Sequence, residues 1–498
     1  MNGKISRRHL LRGAFAISTV SLAAACGGAN NTGQQPADTT GMGAGGQSNT
    51  APTEAAATAA AGTGTDAQAT TAPAAGTGGD TSASGTVRVW GYGLDDARAQ
   101  ARLAEFNRQY PNVTVEAVGG ELNTQQLLTA VASGDPPEVI NVDRVQTGSW
   151  AGRGALQPID DLVQRDGFDL NQFYPFTVEQ VQYNGQLYGI PQFVNVDLIF
   201  MNGDVLEEAG VDPASVDPGN WEAMQALGEQ LHQMDGNTLT RTGFDTKVQD
   251  GRLWLWSWAN GVNLVEQDGR TMNFNHPKVV ETLTWARDTV NRQGGEQARA
   301  AFAQAQNFFS AQNPVLIGQT AITVFEQWLI GVMKVNPQAN FAAILPRVRN
   351  SQENLTDATG SAFAIPRGVQ ADRRDAAWSF IKGMTSREAW LAGERATFQD
   401  AESKQEPFTP TITGNQAVDN EAWTSIYTGI SPSYDATVRL FPEALQSARA
   451  RYSGPVASQI REAMTAQVND ALQGAKEPQA ALDELQQQAQ QALAEFGG

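Results

Sequence analysis

Eleven tryptophans are spread through this 498-residue chain. Five of them stand beside polar residues where strands or loops are expected to end: Trp90, Trp150, Trp256, Trp258 and Trp328. An aromatic ring gives C–H surfaces a flat apolar face, and neighbouring Asp, Glu, Asn, Gln or Arg can pair with hydroxyls once water is expelled. Rings interleaved with such side chains suit a sugar. Asp143-Arg144 directly follows the apolar run Val139-Ile140-Asn141-Val142. A carboxylate there can accept two hydroxyls, and the adjacent guanidinium can donate. A helix cap or a local ion pair fits the same two residues equally well. Glu121 and Glu326 are weaker candidates of the same type. Leu253-Trp254-Leu255-Trp256-Ser257-Trp258-Ala259 alternates strictly. On a strand its three tryptophans share a face; on a helix Trp254 and Trp258 do. Trp221, Trp285, Trp378, Trp390 and Trp423 lie within helical patterns and are expected in the core.

Other chemistry finds little support. The sequence contains no GxSxG elbow, no HExxH and no GxxxxGK[ST] loop. Its three histidines, at 9, 232 and 276, are too few and too scattered for a zinc cluster. No metal and no cofactor is therefore expected. Gly41-Met42-Gly43-Ala44-Gly45-Gly46 has the spacing GxGxxG, but no strand precedes it and no helix follows. Acidic residues number 53 against 34 Lys and Arg, which leaves a glycosidase-like carboxylate pair open as the alternative to plain binding. The formal charge of -19 repels phosphate backbones and anionic headgroups, so nucleic acid is not an expected partner.

These residues must be carried by a particular order of elements. Ser6-Arg7-Arg8-His9-Leu10-Leu11-Arg12 is a twin-arginine stretch, and an apolar run over residues 14–25 stops at Cys26, the single cysteine. Basic, then apolar, then small residues make a secretory signal over residues 1–25. The run is too short to cross a bilayer permanently. Ala23-Ala24-Ala25-Cys26 resembles a bacterial lipobox, which implies a lipid on Cys26, a membrane anchor and a place outside the cytoplasm. Loss of Lys4, Arg7, Arg8 and Arg12 with the signal takes the charge from -19 to -23. One cysteine allows no intramolecular disulfide. Residues 26–85 are almost wholly Gly, Ala, Thr, Ser, Gln, Asn and Pro, with no aromatic residue. Such a segment cannot bury enough surface to offset its ordering entropy, and reads as a tether of roughly 40 Å reach.

From residue 86 the pattern is strand, helix, strand, helix, strand. Thr86-Val87-Arg88-Val89-Trp90 alternates; residues 95–110 carry Ala99, Leu103 and Phe106 at helical spacing; Val113-Thr114-Val115-Glu116-Ala117-Val118 is a second strand. Leu127, Leu128 and Val131 mark a second helix, and residues 139–142 a third strand. This alternation predicts parallel pairing with helical crossovers, and ligands of such sheets sit beyond the carboxyl ends of the strands. Val194-Asn195-Val196-Asp197-Leu198-Ile199-Phe200 is a strand with polar residues inside the run. Helices are expected over 221–234 and 279–291. Near the end, Ile460, Met464, Val468 and Leu472, then Leu482, Leu485, Ala489 and Leu493, are helical stripes for core packing. Asp160-Asp161 reads as a helix N-cap pair.

Taken in order, several segments resemble the solute-binding proteins of ATP-binding-cassette importers, specifically the sugar-binding group that includes maltose-binding protein. Gly152-Arg153-Gly154-Ala155-Leu156-Gln157-Pro158-Ile159-Asp160 matches G-x-L-x-P-L-D, and Asn184-Gly185-Gln186-Leu187-Tyr188-Gly189-Ile190-Pro191 matches D-G-K-x-Y-G-[LI]-P. Phe200-Met201-Asn202-Gly203-Asp204-Val205-Leu206 stands where the family has Y-Y-N-K-D-L-F, and Gly360-Ser361-Ala362-Phe363-Ala364-Ile365-Pro366 matches G-G-x-x-x-A-I-P. Phe325-Glu326-Gln327-Trp328 occupies the place of the family's G-x-W, with two longer polar side chains. The resemblance covers roughly 86–498.

It implies an α/β fold: a two-lobed periplasmic-binding-protein-like clamp of type II, each lobe a mainly parallel sheet flanked by helices, with a hinge between lobes. The implied lobes are 86–193 plus 357–410 and 194–356 plus 411–498. The implied activity is capture of a sugar or oligosaccharide by a monomer and delivery to a membrane permease, without catalysis. By family position Trp328 should stack on the ligand, Asn195 should contact it from the crossing segment, and Trp258 should face the cleft with Trp254 in the core. Trp90, Asp143, Arg144, Glu326, Gly360 and Ser361 complete the expected ligand-binding set.

Overall fold

The computed structural model describes residues 82–427, 429 and 431–497. The signal segment, Cys26 and nearly all of the expected tether lie outside the described residues. The described fold includes residues that composition assigns to the tether. Ala83 is already buried in a core, and Gly85 pairs with Val113.

The strands are β1 (Gly85–Trp90), β2 (Val113–Val118), β3 (Val139–Asp143), β4 (Gln182–Tyr183), β5 (Gln186–Leu187), β6 (Gly189–Pro191), β7 (Asn195–Asn202), β8 (Gln233–Asp235), β9 (Thr238–Asp245), β10 (Thr320–Glu326), β11 (Phe341–Ile344), β12 (Thr356–Thr359), β13 (Ser361–Ala364) and β14 (Ala448–Ala450). They form two main sheets. The first has the order β2-β1-β3-β13-β6; the second runs β14-β12-β7-β10-β9-β8, with β11 also on β7. The chain crosses between sheets at two adjoining points, from β6 to β7 and from β12 to β13 at Gly360, and passes back once more on the way from β13 to β14.

The expected βαβαβ start is present. β1 pairs in parallel with β2 and β3, through helices Ala97–Gln109 and Thr124–Ser133. Asp96 and Asn123 cap these helices by accepting from Ala99 N–H and Gln126 N–H, which supplies partners for amides that no helical carbonyl reaches. Beyond β3 the sheets are mixed, not mainly parallel. β13 runs antiparallel to both β3 and β6, and β7 runs antiparallel to β10, β11 and β12. The reason lies in the crossings: a strand that returns directly from the other sheet enters without a helical crossover, and so without the constraint that makes neighbours parallel.

Three further expectations shift. Residues 357–359, expected in the first lobe, belong to β12, which pairs with β7 and β14 of the second sheet. The helix expected to reach 234 ends at Leu231, because Gln233–Asp235 turns into a strand against β9. Ile159, not the aspartates, precedes helix Asp160–Asp166; Asp160 and Asp161 fill its first turn, where carboxylates favour the helix dipole.

Each sheet has its own cores. Val87, Val89, Phe106, Phe363, Trp378 and Phe380 lie together on the first; Ile199, Trp221, Trp256, Leu283 and Ile322 on the second. The C-terminal stripes are buried as the periodicity requires, in helices Ala457–Leu472 and Pro478–Gly497, except for Leu493, which is half-buried.

Candidate functional site

All eight residues of β7 are buried, so its polar members need partners. Asp197 finds Arg252, which precedes helix Leu253–Ala259, through two hydrogen bonds. Asn195 donates from Nδ2 to Glu326 Oε2 at 3.1 Å. Register places Glu326 opposite Asp197 on β10, and Ala358 opposite Val196 on β12, so Asp357 follows alongside Asp197. Three carboxylates therefore lie in one row across β10, β7 and β12. Arg252 and Arg451 are set against them; Arg451 Nε donates to Asp357 Oδ2 at 2.6 Å. Burial pushes Asp357 up to about 6, against the pull of Arg451. Burial also raises Glu326, against the pull of Arg252, and neighbouring Asp197 raises it further. Burial alone would lower Arg252, but Asp197 and then Glu326 raise it above the ordinary value.

Two residues beyond Asp197 and Asp357 in that row, at Asn195 and Thr359, β7 and β12 reach their ends, and a polar seam forms. Glu326 accepts from Asn195, from Thr359 Oγ1 at 2.9 Å, and from the indole N–H of Trp328. Half-buried Trp328 stands among Phe308, Phe309 and Phe325. Phe325 meets its ring edge-on at 5.0 Å, and Phe309 lies parallel to it at 6.2 Å. Phe309 is 55% exposed. On the side of the first sheet, Ser361 pairs in register with Asp143. The Ser361 hydroxyl is buried with no partner among the described residues. Asp143 accepts from Val145 N–H and lies 4.0 Å from Arg461 of helix Ala457–Leu472.

The structure thus gathers Asp143, Arg144, Asn195, Glu326, Trp328, Gly360 and Ser361 around the two crossings. Within that group two have framework contacts. Arg144 is fully buried and donates to the carbonyls of Phe193, Thr359 and Ser361 and to Gln180 Oε1. Burial lowers its pKa to about 10. Gly360 adopts φ +131°, and a Cβ there would lie 2.2 Å from Phe193 O. Two candidates lie elsewhere. Trp90, half-buried at the end of β1, packs on the cluster of Leu127, Ile140, Val142 and Trp150. Trp258 is 4% exposed in the same core as Trp254, ring centroids 5.9 Å apart. The expected division between a cleft-facing Trp258 and a core Trp254 is not observed, because every residue of helix Leu253–Ala259 is buried.

Sequence reasoning passed over Thr359, Arg461 and the phenylalanines beside Trp328. The doublet Phe308-Phe309 in a polar stretch was a usable signal; nothing local marks Arg461. Among the described residues no His, Cys, Asp or Glu cluster could hold a metal ion, and no helix is long and apolar enough to cross a membrane.

Chemically, the seam offers hydrogen-bonding side chains beside a partly exposed aromatic wall. Asp197 and Asp357 are held by arginines, and Glu326 already accepts three donors.

Comparison with known proteins agrees with this picture. Residues 90–389 match the family model described as bacterial extracellular solute-binding protein. Among curated proteins, the arabinooligosaccharide-binding protein of Bacillus subtilis is 23% identical over 147 residues, 28% of this chain and 33% of that protein. The sn-glycerol-3-phosphate-binding periplasmic protein UgpB of Shigella dysenteriae is 28% identical over 141 residues, 27% of this chain and 32% of that protein. These alignments span about a third of each relative. Among solved structures, the ABC substrate-binding protein Lmo0181 of Listeria monocytogenes, in complex with cycloalternan, superposes with a TM-score of 0.67 at 18% identity, covering 82% of this chain and 99% of that one. The fold is accordingly the two-lobed α/β clamp.

Proposed function

The chain belongs to the bacterial extracellular solute-binding proteins, and from that premise we propose that it captures a sugar or oligosaccharide between two lobes and hands it to an ABC permease. The family binds solutes rather than converting them, and the chain is a binder, not an enzyme. The observation that carries the sugar reading is the seam at the crossings, where Asn195, Glu326, Thr359 and Asp143 stand beside the partly exposed ring of Trp328. Rings and paired polar groups are what a sugar's two kinds of surface require.

The lobes are taken as residues 86–193 plus 361–410 and residues 194–359 plus 411–498, with Gly360 between them. A solute touching both lobes gains more from the closed state, so closure reports occupancy. Arg461 and Asp143, 4.0 Å apart, are the pair we place on opposite sides of the opening.

We also read Cys26 as the lipidated N-terminus of a monomeric membrane-anchored protein exported by the twin-arginine segment. Labelled palmitate should enter the intact protein and not Cys26→Ala; equal labelling of both would remove the anchor.

A thermal-shift screen tests the main reading, using arabino-oligosaccharides, cycloalternan, common disaccharides and sn-glycerol-3-phosphate. A solute at 100 times its Kd should add about 2.7 kcal/mol of stability. Stabilisation by sn-glycerol-3-phosphate alone would replace sugar with a phosphorylated polyol. Release of shorter sugars from any oligosaccharide would end the binder reading in favour of a glycosidase.

A further inference from the structure

Building on the reading of the seam as a solute site, we propose that Glu326 is a positioning residue, fixing the plane of the Trp328 ring and tying that ring to β7 and β12, the second-sheet strands of the two adjoining crossings. Its carboxylate receives three donors from three places. Trp328 gives its indole N–H, Asn195 at the start of β7 gives Nδ2–H at 3.1 Å, and Thr359 at the end of β12 gives Oγ1–H at 2.9 Å. Asn195 lies just after the first crossing and Thr359 just before the second.

Gln327 continues the brace. Its side chain accepts from Val196 N–H at 2.8 Å and donates to Val194 O at 3.2 Å. Both long polar side chains before Trp328 are thus engaged with the crossing strand. From the first sheet, Arg144 holds the same two crossings through the carbonyls of Phe193 and Thr359. Thr359 is therefore fixed twice, by its hydroxyl to Glu326 and by its carbonyl to Arg144.

The consequence for Trp328 is conformational. An indole whose N–H is anchored in its own plane cannot turn about its side-chain torsions without breaking that bond. The ring is ordered before a solute arrives, which removes part of the entropy cost of binding. A hydrogen bond to a carboxylate is roughly twice as strong as one to a neutral acceptor. Glutamate therefore holds the ring better than glutamine would. Because the same carboxylate holds Asn195 and Thr359, a shift of the ring on binding reaches both crossings directly.

The test has two arms, both on the full folded chain. In the first, indole N–H signals are recorded with 15N-labelled tryptophan, and Trp328→Phe identifies the Trp328 signal by its loss. Glu326→Gln should move that signal upfield and speed its hydrogen exchange, leaving the other ten indoles in place. An unmoved signal overturns the proposal. Should Glu326→Gln fail to fold, Glu326→Asp, one methylene shorter, is read in the same spectrum with the same two outcomes. In the second arm, calorimetric titration with arabinotriose and with cycloalternan compares four proteins: wild type, Glu326→Gln, Trp328→Phe and the double variant. Glu326→Gln should weaken binding about tenfold with Trp328 present and less than twofold in the Trp328→Phe background, the pattern of groups acting as one unit. Equal weakening in both backgrounds would show that Glu326 does not act through the indole. If neither sugar binds any of the four, the sugar reading of the seam fails for these compounds, while the indole signal still decides the positioning role.

Discussion

Arg252 holds Asp197 through two hydrogen bonds, Nη2 to Oδ1 at 3.0 Å and Nε to Oδ2 at 3.2 Å, with side chains only 6% and 3% exposed. Glu326 lies opposite Asp197 on β10, so the pair sits directly beneath the seam. Removing one partner leaves a charge buried without its counter-ion. Arg252→Met should therefore destabilise the protein by about 3–5 kcal/mol. Urea unfolding measures this; a loss below about 1 kcal/mol would mean that water already reaches the pair.

Arg144 separates a framework role from a ligand role. Its donors saturate carbonyls on both crossings. Arg144→Lys keeps the charge but cannot reproduce the planar fork. Each buried carbonyl left unpaired costs about 1–3 kcal/mol. The expected outcome is a clear fall in Tm in the absence of any solute. A Tm equal to wild type, accompanied by weaker sugar binding, would place the guanidinium on the solute instead.

Trp328→Ala should reverse that pattern. The ring is half-buried and makes edge contact with Phe325, so stability should change modestly. Binding of a solute found by the thermal screen should weaken by about 1–3 kcal/mol, as for other aromatic anchors at binding surfaces. Calorimetric titration provides the check, and unchanged affinity would take Trp328 out of the site.

Asp419 predicts a pH dependence of stability. It is fully buried and accepts from both the amide and the hydroxyl of Thr413, each at 2.7 Å. Burial pushes its pKa up to about 7 from an ordinary 3.8. The folded state then binds the proton more tightly than the unfolded state does. Its contribution is fully present below about pH 4 and is lost as pH rises through about 7. Asp419→Asn, which mimics the protonated acid, should gain on wild type across that window by up to about 4 kcal/mol. Denaturant melts of both proteins at pH 5.0 and 7.5 decide it; parallel curves would show that Asp419 stays charged when folded.

Much of this molecule could be read along the chain. The period-two and helical patterns placed β1, β2, β3 and the intervening helices within a residue or two, because apolar spacing reflects which face each element must bury. The C-terminal stripes at Ile460, Met464, Val468 and Leu472 were legible for the same reason. So were the tryptophans of the core and the polar interruptions in β7. Local pattern also marked Asp143, Glu326 and Trp328 as residues of interest, whereas Asn195 was marked only by its place in the family resemblance.

Pairing across the chain decided the rest. Whether Arg144 meets a solute or three carbonyls depends on where residues 193 and 359–361 come to lie, and no local signal carries that. Trp258 could not be told from Trp254 by spacing, since helix Leu253–Ala259 is enclosed on all sides. The antiparallel placing of β13 between β3 and β6 followed from how the chain recrosses between sheets at Gly360, a matter of topology rather than propensity. Composition and periodicity determine which surfaces must be hidden; only the folded chain determines which distant atoms then satisfy the polar groups hidden with them.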